Sequence, residues 1–125
     1  PPRRYQTSDG FTLLLGRNNR QNDRLTTKMA APDDIWLHTQ KIPGSHVILK
    51  REAGRDFTET ALQDAAALAA YHSQARQADK VPVDYTEVHN VKKPNGARPG
   101  MVIYFEQQTL YVQPRELTPC EDTED

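Results

Sequence analysis

The sequence predicts an α+β domain, with a single mixed β-sheet and two main helices in the order ββαββαβββ. Three observations carry this prediction. Short runs rich in aliphatic and β-branched residues, such as Phe11 to Gly16, Asp34 to His38 and Val83 to Val88, are bounded by turn residues. One alanine-rich segment, Thr58 to about Ala78, has helical spacing. A polar segment after Asn18 carries a helix cap and a thin apolar stripe. At 125 residues the chain fits one domain that buries its own core.

The elements follow in order. Arg4 to Ser8 and Phe11 to Gly16 flank Asp9-Gly10, a two-residue hairpin signal because both positions tolerate φ > 0. Asn18 or Asn19 caps a helix running to about Ala30, with Leu25 and Met29 at i, i+4, and Pro32 and Asp33 end it. The strand Asp34 to His38 follows, then a loop with Pro43-Gly44, then the strand Ser45 to Lys50. After the polar loop Arg51 to Asp56, Thr58 is the N-cap of the alanine-rich helix, and Glu59 and Asp64 lie near its N-terminus. Leu62, Ala65, Ala66, Ala69 and Ser73 share one face, and small residues there let the helix sit close to a sheet. Val81-Pro82 breaks the helix, and Val83 to Val88 alternates as a strand. Residues 89–100 read as a loop, and Met101 to Phe105 with Thr109 to Val112 as a final hairpin. The domain spans residues 4–114, and residues 115–125 form an acidic tail expected to be solvated and disordered.

The formal net charge of −1 hides an asymmetry. Five acids and no bases follow Arg115, so residues 1–115 carry a formal +4. A mildly basic body suits contact with phosphate. Cys120 is the single cysteine, which excludes an intrachain disulfide. The longest apolar stretch, Ala65 to Tyr71, is too short to cross a bilayer, and no signal-peptide core opens the chain. These features point to the cytoplasm and away from a membrane. The start at Pro1 rather than methionine points to a fragment or a processed product.

Candidate chemistry gathers in three places. On the strand, Asp34, Trp36 and His38 share one face, opposite Ile35 and Leu37. That face is either a buried polar network or a surface on which an indole stacks a base and its neighbours hydrogen-bond it. The recognition reading requires the triplet to be at least partly accessible, with Ile35 and Leu37 buried. Next, Pro43-Gly44-Ser45-His46 ends a turn in a hydroxyl and an imidazole, and exposed amides there would hold a phosphate oxygen. The plainer reading is an ordinary loop. A metal held by Asp34, His38 and His46 lacks any tight pair spacing or cysteine set, so no metal and no cofactor is expected. Finally, Lys92, Lys93 and Arg98 sit on a loop stiffened by Pro94 and Pro99, and Arg17, Asn18, Arg20, Asn22 and Arg24 add donors suited to phosphate and ribose. No Walker loop, Rossmann fingerprint, nucleophile elbow or zinc ribbon is present.

These stretches together resemble the NFACT-R domain, the RNA-binding module of the RqcH, NEMF and fibronectin-binding protein A family. The resemblance rests on Asp9-Gly10, Gly16-Arg17-Asn18, Asn22-Asp23, Asp34-Ile35-Trp36-Leu37-His38, Pro43-Gly44-Ser45-His46-Val47, Ala65-Ala66 with Ala69-Ala70, Val91-Lys92-Lys93 and Pro99-Gly100-Met101-Val102. It spans about Arg4 to Pro114. It implies a non-enzymatic module that binds tRNA or ribosomal RNA, in proteins that engage obstructed large ribosomal subunits and support C-terminal tailing of stalled chains. It also implies a functional role for Asp34, Trp36 and His38. The RNA-contacting set is then Asp34, Trp36, His38, Ser45, His46, Arg17, Asn18, Asn22, Lys92, Lys93 and Arg98. Two other readings are a fibronectin-binding surface adhesin and an enzyme acting on nucleic acid through Asp34, His38 and His46.

Overall fold

The computed structural model describes residues 1–121. Among the described residues run ten strands and α-helices: β1 (Arg3–Gln6), β2 (Thr12–Leu15), α1 (Asn19–Arg24), β3 (Ile35–Thr39), β4 (Val47–Leu49), α2 (Glu59–Tyr71), β5 (Val81–Glu87), β6 (Val91–Lys92), β7 (Ile103–Tyr104) and β8 (Gln108–Val112). A π-helical turn, Leu25–Met29, continues α1. Six strands form one sheet in the order β1-β2-β4-β3-β5-β8, and β6 and β7 form a separate ribbon. The α+β class with two helices stands. Every strand pair is antiparallel, where a mixed sheet was expected.

The capping residues read from the sequence are in place. The Asn18 side chain accepts from the Gln21 amide at 2.9 Å, and Thr58 Oγ1 accepts from the Ala61 amide at 3.0 Å. Each satisfies a helix N–H that has no partner inside its helix. The hairpin turn is wider than the two-residue signal implied. Gln6 pairs with Thr12, and within the loop the Thr7 hydroxyl accepts from the Phe11 amide. Gly10, at φ 94, takes the one left-handed position.

Helix α2 stops at Tyr71, seven residues short of the expected end. Ser73 explains this: its hydroxyl donates to the Ala70 carbonyl at 2.7 Å and accepts from the Ala75 amide at 3.0 Å, turning the chain. The backbone then bridges to the Pro43 loop, with the Ser45 amide donating to the His72 carbonyl at 3.0 Å and the Gln74 amide to Pro43. Glycine is required at 44, because a Cβ there would lie 2.9 Å from Ser73 Cβ.

The expected C-terminal hairpin does not form. Strand β7 pairs with β6, whereas β8 pairs with β5. Glu106, at φ 57, carries the chain from the ribbon to the main sheet. The acidic tail is also corrected in part. Arg115 pairs with Asp64 at 2.6 Å, Leu117 packs against the core, and the Cys120 amide donates to the Arg4 carbonyl at 2.8 Å. Residues Asp122, Glu124 and Asp125 lie outside the described residues.

Two cores result, one on each face of the sheet. On one face, Leu13, Leu15, Ile35, Leu37, Val47, Leu49 and Val83 meet the alanine face of α2, where Ala61, Ala65, Ala66, Ala69 and Ala70 are fully buried. On the other face, Trp36 and Ile48 pack with Leu25 of the π turn and Val88. The β6–β7 ribbon lies over them through Val91 and Tyr104, together with Val102 just before β7. The ribbon is thus a lid on the second face of the sheet.

Candidate nucleic-acid interface

Alternation along β3 divides its residues as expected, but the opposite face is not open. Ile35 and Leu37 are buried in the larger core, and Trp36 is only 1% exposed. Asp34 is buried as well, and His38 is half-buried. The expectation of an accessible stacking tryptophan is therefore corrected: the lid formed by residues 88–104 covers it. Tyr104 packs on the indole at a ring separation of 4.6 Å, and His38 stacks nearly parallel to it at 5.8 Å.

His46 is the knot of the buried network. Trp36 Nε1–H donates to His46 Nδ1 at 3.1 Å, and Thr26 Oγ1 lies 2.7 Å from the same nitrogen. An acceptor at Nδ1 leaves the proton on Nε2, which donates to the Gly100 carbonyl at 3.0 Å. Burial, followed by the nearby His38 ring, pushes the His46 pKa down to about 3, so the ring is neutral. The His46 amide donates to Asn22 Oδ1 at 3.0 Å. Asn22 in turn presses on Gly16, where a Cβ would lie 2.1 Å from Asn22 Oδ1. The Gly16, Asn22 and His46 positions of the motif are thus one packing unit. The Ser45 and His46 amides are both spent inside the protein, which corrects the idea that they hold a phosphate.

Asp34 fixes the entry to β3. Its carboxylate accepts from the Ala31 amide at 2.8 Å, the Arg51 amide at 2.7 Å and the Lys50 ammonium. Both ring nitrogens of His38 face backbone carbonyls, Nδ1 at 2.7 Å from Thr39 O and Nε2 at 3.2 Å from Gly44 O. Burial lowers its pKa, against the raising influence of those carbonyls and of Asp84. Buried Asp84 accepts from Tyr104 Oη at 2.6 Å, Thr109 Oγ1 at 2.7 Å and Gln40 Nε2 at 3.1 Å. Burial, reinforced by Asp84, raises the Tyr104 phenol well above its ordinary pKa and keeps it a donor. Among the described residues no buried side-chain nitrogen or oxygen lacks a partner, and no three His, Cys, Asp or Glu side chains are grouped to hold a metal.

The remaining candidates lie around this network, exposed except for the buried Asn22 and the half-buried Ser45. Arg17, Asn18, Asn22 and Ser45 line a cleft of about 400 Å³, with Arg76 beyond Ser73. Arg20 and Arg24 are exposed on α1 at spacing i, i+4. Lys92 and Arg98 are exposed, and neither is in an ion pair among the described residues. Lys93 is different, because its ammonium lies 3.0 Å from Asp23 Oδ1, which also accepts from the Gly100 amide at 3.2 Å. Burial alone would raise the Asp23 pKa, but Lys93 and Gly100 outweigh it and hold the carboxyl below its ordinary range. Lys93 therefore ties the lid to α1 instead of standing free.

A second cleft of about 470 Å³ opens beside the first, walled by Asn19, Lys41, Gly44 and Met101 over the rings of His38 and Tyr104. Lys41, Arg76 and Tyr104 escaped the sequence reading. Lys41, like Glu106, takes a left-handed backbone, at φ 56, a property that residue identity does not encode.

Together, the fold and its surface define a small α+β module, with a buried Trp36–His46 pair beneath a lid and with exposed cations around it. The chain belongs to the family of NFACT protein RNA binding domains, whose model matches residues 2–105. It is 52% identical over 110 residues to the Rqc2 homolog RqcH of Bacillus subtilis, covering 88% of this chain and 19% of that protein. The Streptococcus suis RqcH is 47% identical over 116 residues, covering 92% of this chain and 21% of that one. More distantly, coiled-coil domain-containing protein 25 of Bos taurus is 29% identical over 109 residues, 84% of this chain and 52% of the relative. Among solved structures, the C-terminal part of the fibronectin/fibrinogen-binding protein from Streptococcus suis matches with a TM-score of 0.87 and 46% identity, over 92% of this chain and 46% of that one. The chain thus spans about a fifth of the length of its RqcH relatives.

Proposed function

We propose that this domain is a non-enzymatic RNA-binding module that contacts tRNA or ribosomal RNA on the large ribosomal subunit, in the cytoplasm, in service of ribosome quality control. Family membership supports RNA binding, and the RqcH relatives support the quality-control setting. The observation that carries the reading is the set of exposed cations, Arg17, Arg20, Arg24, Lys92 and Arg98, that form no ion pair among the described residues. Phosphate binding works through such cations, because each phosphate neutralised releases condensed counterions. The buried residues enter this reading as scaffold: Trp36 and His46 hold the lid and α1 in register, through Tyr104, Gly100 and Asn22, and the cations ride on or beside those two segments.

The test is the salt dependence of tRNA binding. Replacing Arg20, Lys92 and Arg98 with alanine is expected to flatten the log–log slope by roughly 0.7–0.9 for every phosphate that the variant no longer neutralises. Lys93→Ala is expected to lower the melting temperature more than it changes the slope, since its partner is Asp23. A triple variant with the parent slope and affinity would remove these cations from the interface. Fibronectin binding is the second reading, favoured by the name of the Streptococcus suis structure. Saturable capture on immobilised fibronectin at high salt, with no tRNA binding at any salt, would select it.

A further inference from the structure

The clefts on the cationic side share walls. Asn19, Asn22, Pro43 and Gly44 border both the 400 Å³ and the 470 Å³ clefts. Met101 and Val102 border the second and a third cleft of about 340 Å³ that includes Arg98. A furrow therefore runs from Arg17 and Arg76, past Lys41, to Arg98. Its ends are cationic and its middle is floored by the rings of His38 and Tyr104, with Trp36 in contact with both.

Lys41 stands at this middle point. It is exposed, it is in no ion pair among the described residues, and its φ of 56 is a conformation that disfavours side chains. Glycine would hold that turn at less cost, so the structure keeps a strained cation where an unstrained residue would serve the fold better.

We propose that the middle cleft seats an unpaired RNA nucleotide, its base over the His38–Tyr104 floor and its phosphate on Lys41, as a single strand follows the furrow. This rests on the RNA-binding reading above. A base held in a duplex stack cannot enter a recess of this kind, whereas splayed bases of loops and ends stack on aromatic side chains. A volume of about 470 Å³ lies within the range of sites that take small organic ligands. The cation at the rim and the rings beneath match the phosphate and base of one nucleotide.

Trp36 is the only tryptophan, so its emission reports on the cleft it borders. The full chain is titrated with a mixed-sequence single-stranded RNA decamer and, separately, with a blunt decamer RNA duplex. The single strand is expected to change the emission saturably, and the duplex is not. Lys41→Gly is expected to weaken single-strand binding roughly fivefold to tenfold. It should leave duplex affinity within about twofold and should not lower the melting temperature, because glycine accepts the left-handed turn. Equal losses on both probes, or no loss on the single strand, would overturn the assignment. If both probes bind alike and the emission stays constant, RNA binding stands and the cleft proposal falls. If neither probe binds, both readings fall.

Discussion

Trp36→Ala is expected to destabilise the domain by about 3–5 kcal/mol, the range for emptying a buried aromatic site. The indole is 1% exposed and forms the centre of the second core, against Leu25, Ile48 and Val88. Its removal leaves a cavity beneath the lid and takes from His46 Nδ1 one of its two donors. The loss should appear as a fall of more than about 10 °C in melting temperature and a matching shift in urea midpoint. RNA affinity measured well below the new transition should fall less than stability does. A variant that melts like the parent yet no longer binds RNA would return Trp36 to the role of a direct RNA ligand.

Acid is expected to weaken the fold well above the carboxylate range. His46 titrates near 6.5 in an unfolded chain and at about 3 in the folded one. Its folded pKa is depressed, so its contribution is complete above pH 6.5 and is lost progressively as pH falls toward 3, where the unfolded state binds the proton and the native state does not. At pH 5 the loss is about 2 kcal/mol, from 1.36 kcal/mol per pH unit. His38 is shifted in the same direction and adds to the slope, whereas Asp23 acts only below its ordinary value of 3.8. Denaturant melts from pH 7.5 to 5 provide the measurement. His46→Gln keeps an acceptor for Trp36 and a donor for Gly100 without a titrating proton, so its stability should vary less with pH than the parent's. A parent whose stability is flat across that interval would contradict a buried neutral His46.

The features legible in the sequence are those set by local chemistry. Asn18 and Thr58 announce their helices because a cap needs only a short polar side chain and the amide three residues on. The Ile35 and Leu37 face follows from strand periodicity, and the alanine face of α2 from helical spacing. The candidate site is legible by residue type but not by depth. Asp34, Trp36 and His46 read as RNA-facing residues because nothing in the β3 sequence shows that a segment some fifty residues later will cover it. That cover depends on β6 pairing with β7, a ribbon of two residues per strand, too short to leave a periodic signal. The same ribbon draws β7 away from β8, so adjacency in sequence points to a final hairpin that does not form. Lys93 reads like Lys92 in sequence and differs only through Asp23, a partner brought close by the Gly100 turn.

The pairing of the last described residues with the first strand has a mechanical consequence. Tyr5 bridges Pro119 in antiparallel sense and Cys120 bonds to Arg4, so the two ends of the domain leave from one corner. Tension applied between them would not shear the sheet along its length. It would load the rungs at that corner one after another, because antiparallel hydrogen bonds lie across the strands. The closing segment would peel from β1 at low force and expose that sheet edge before either core yields. A domain tethered by both ends in this way behaves as a pendant on a hinge rather than as a link in a chain.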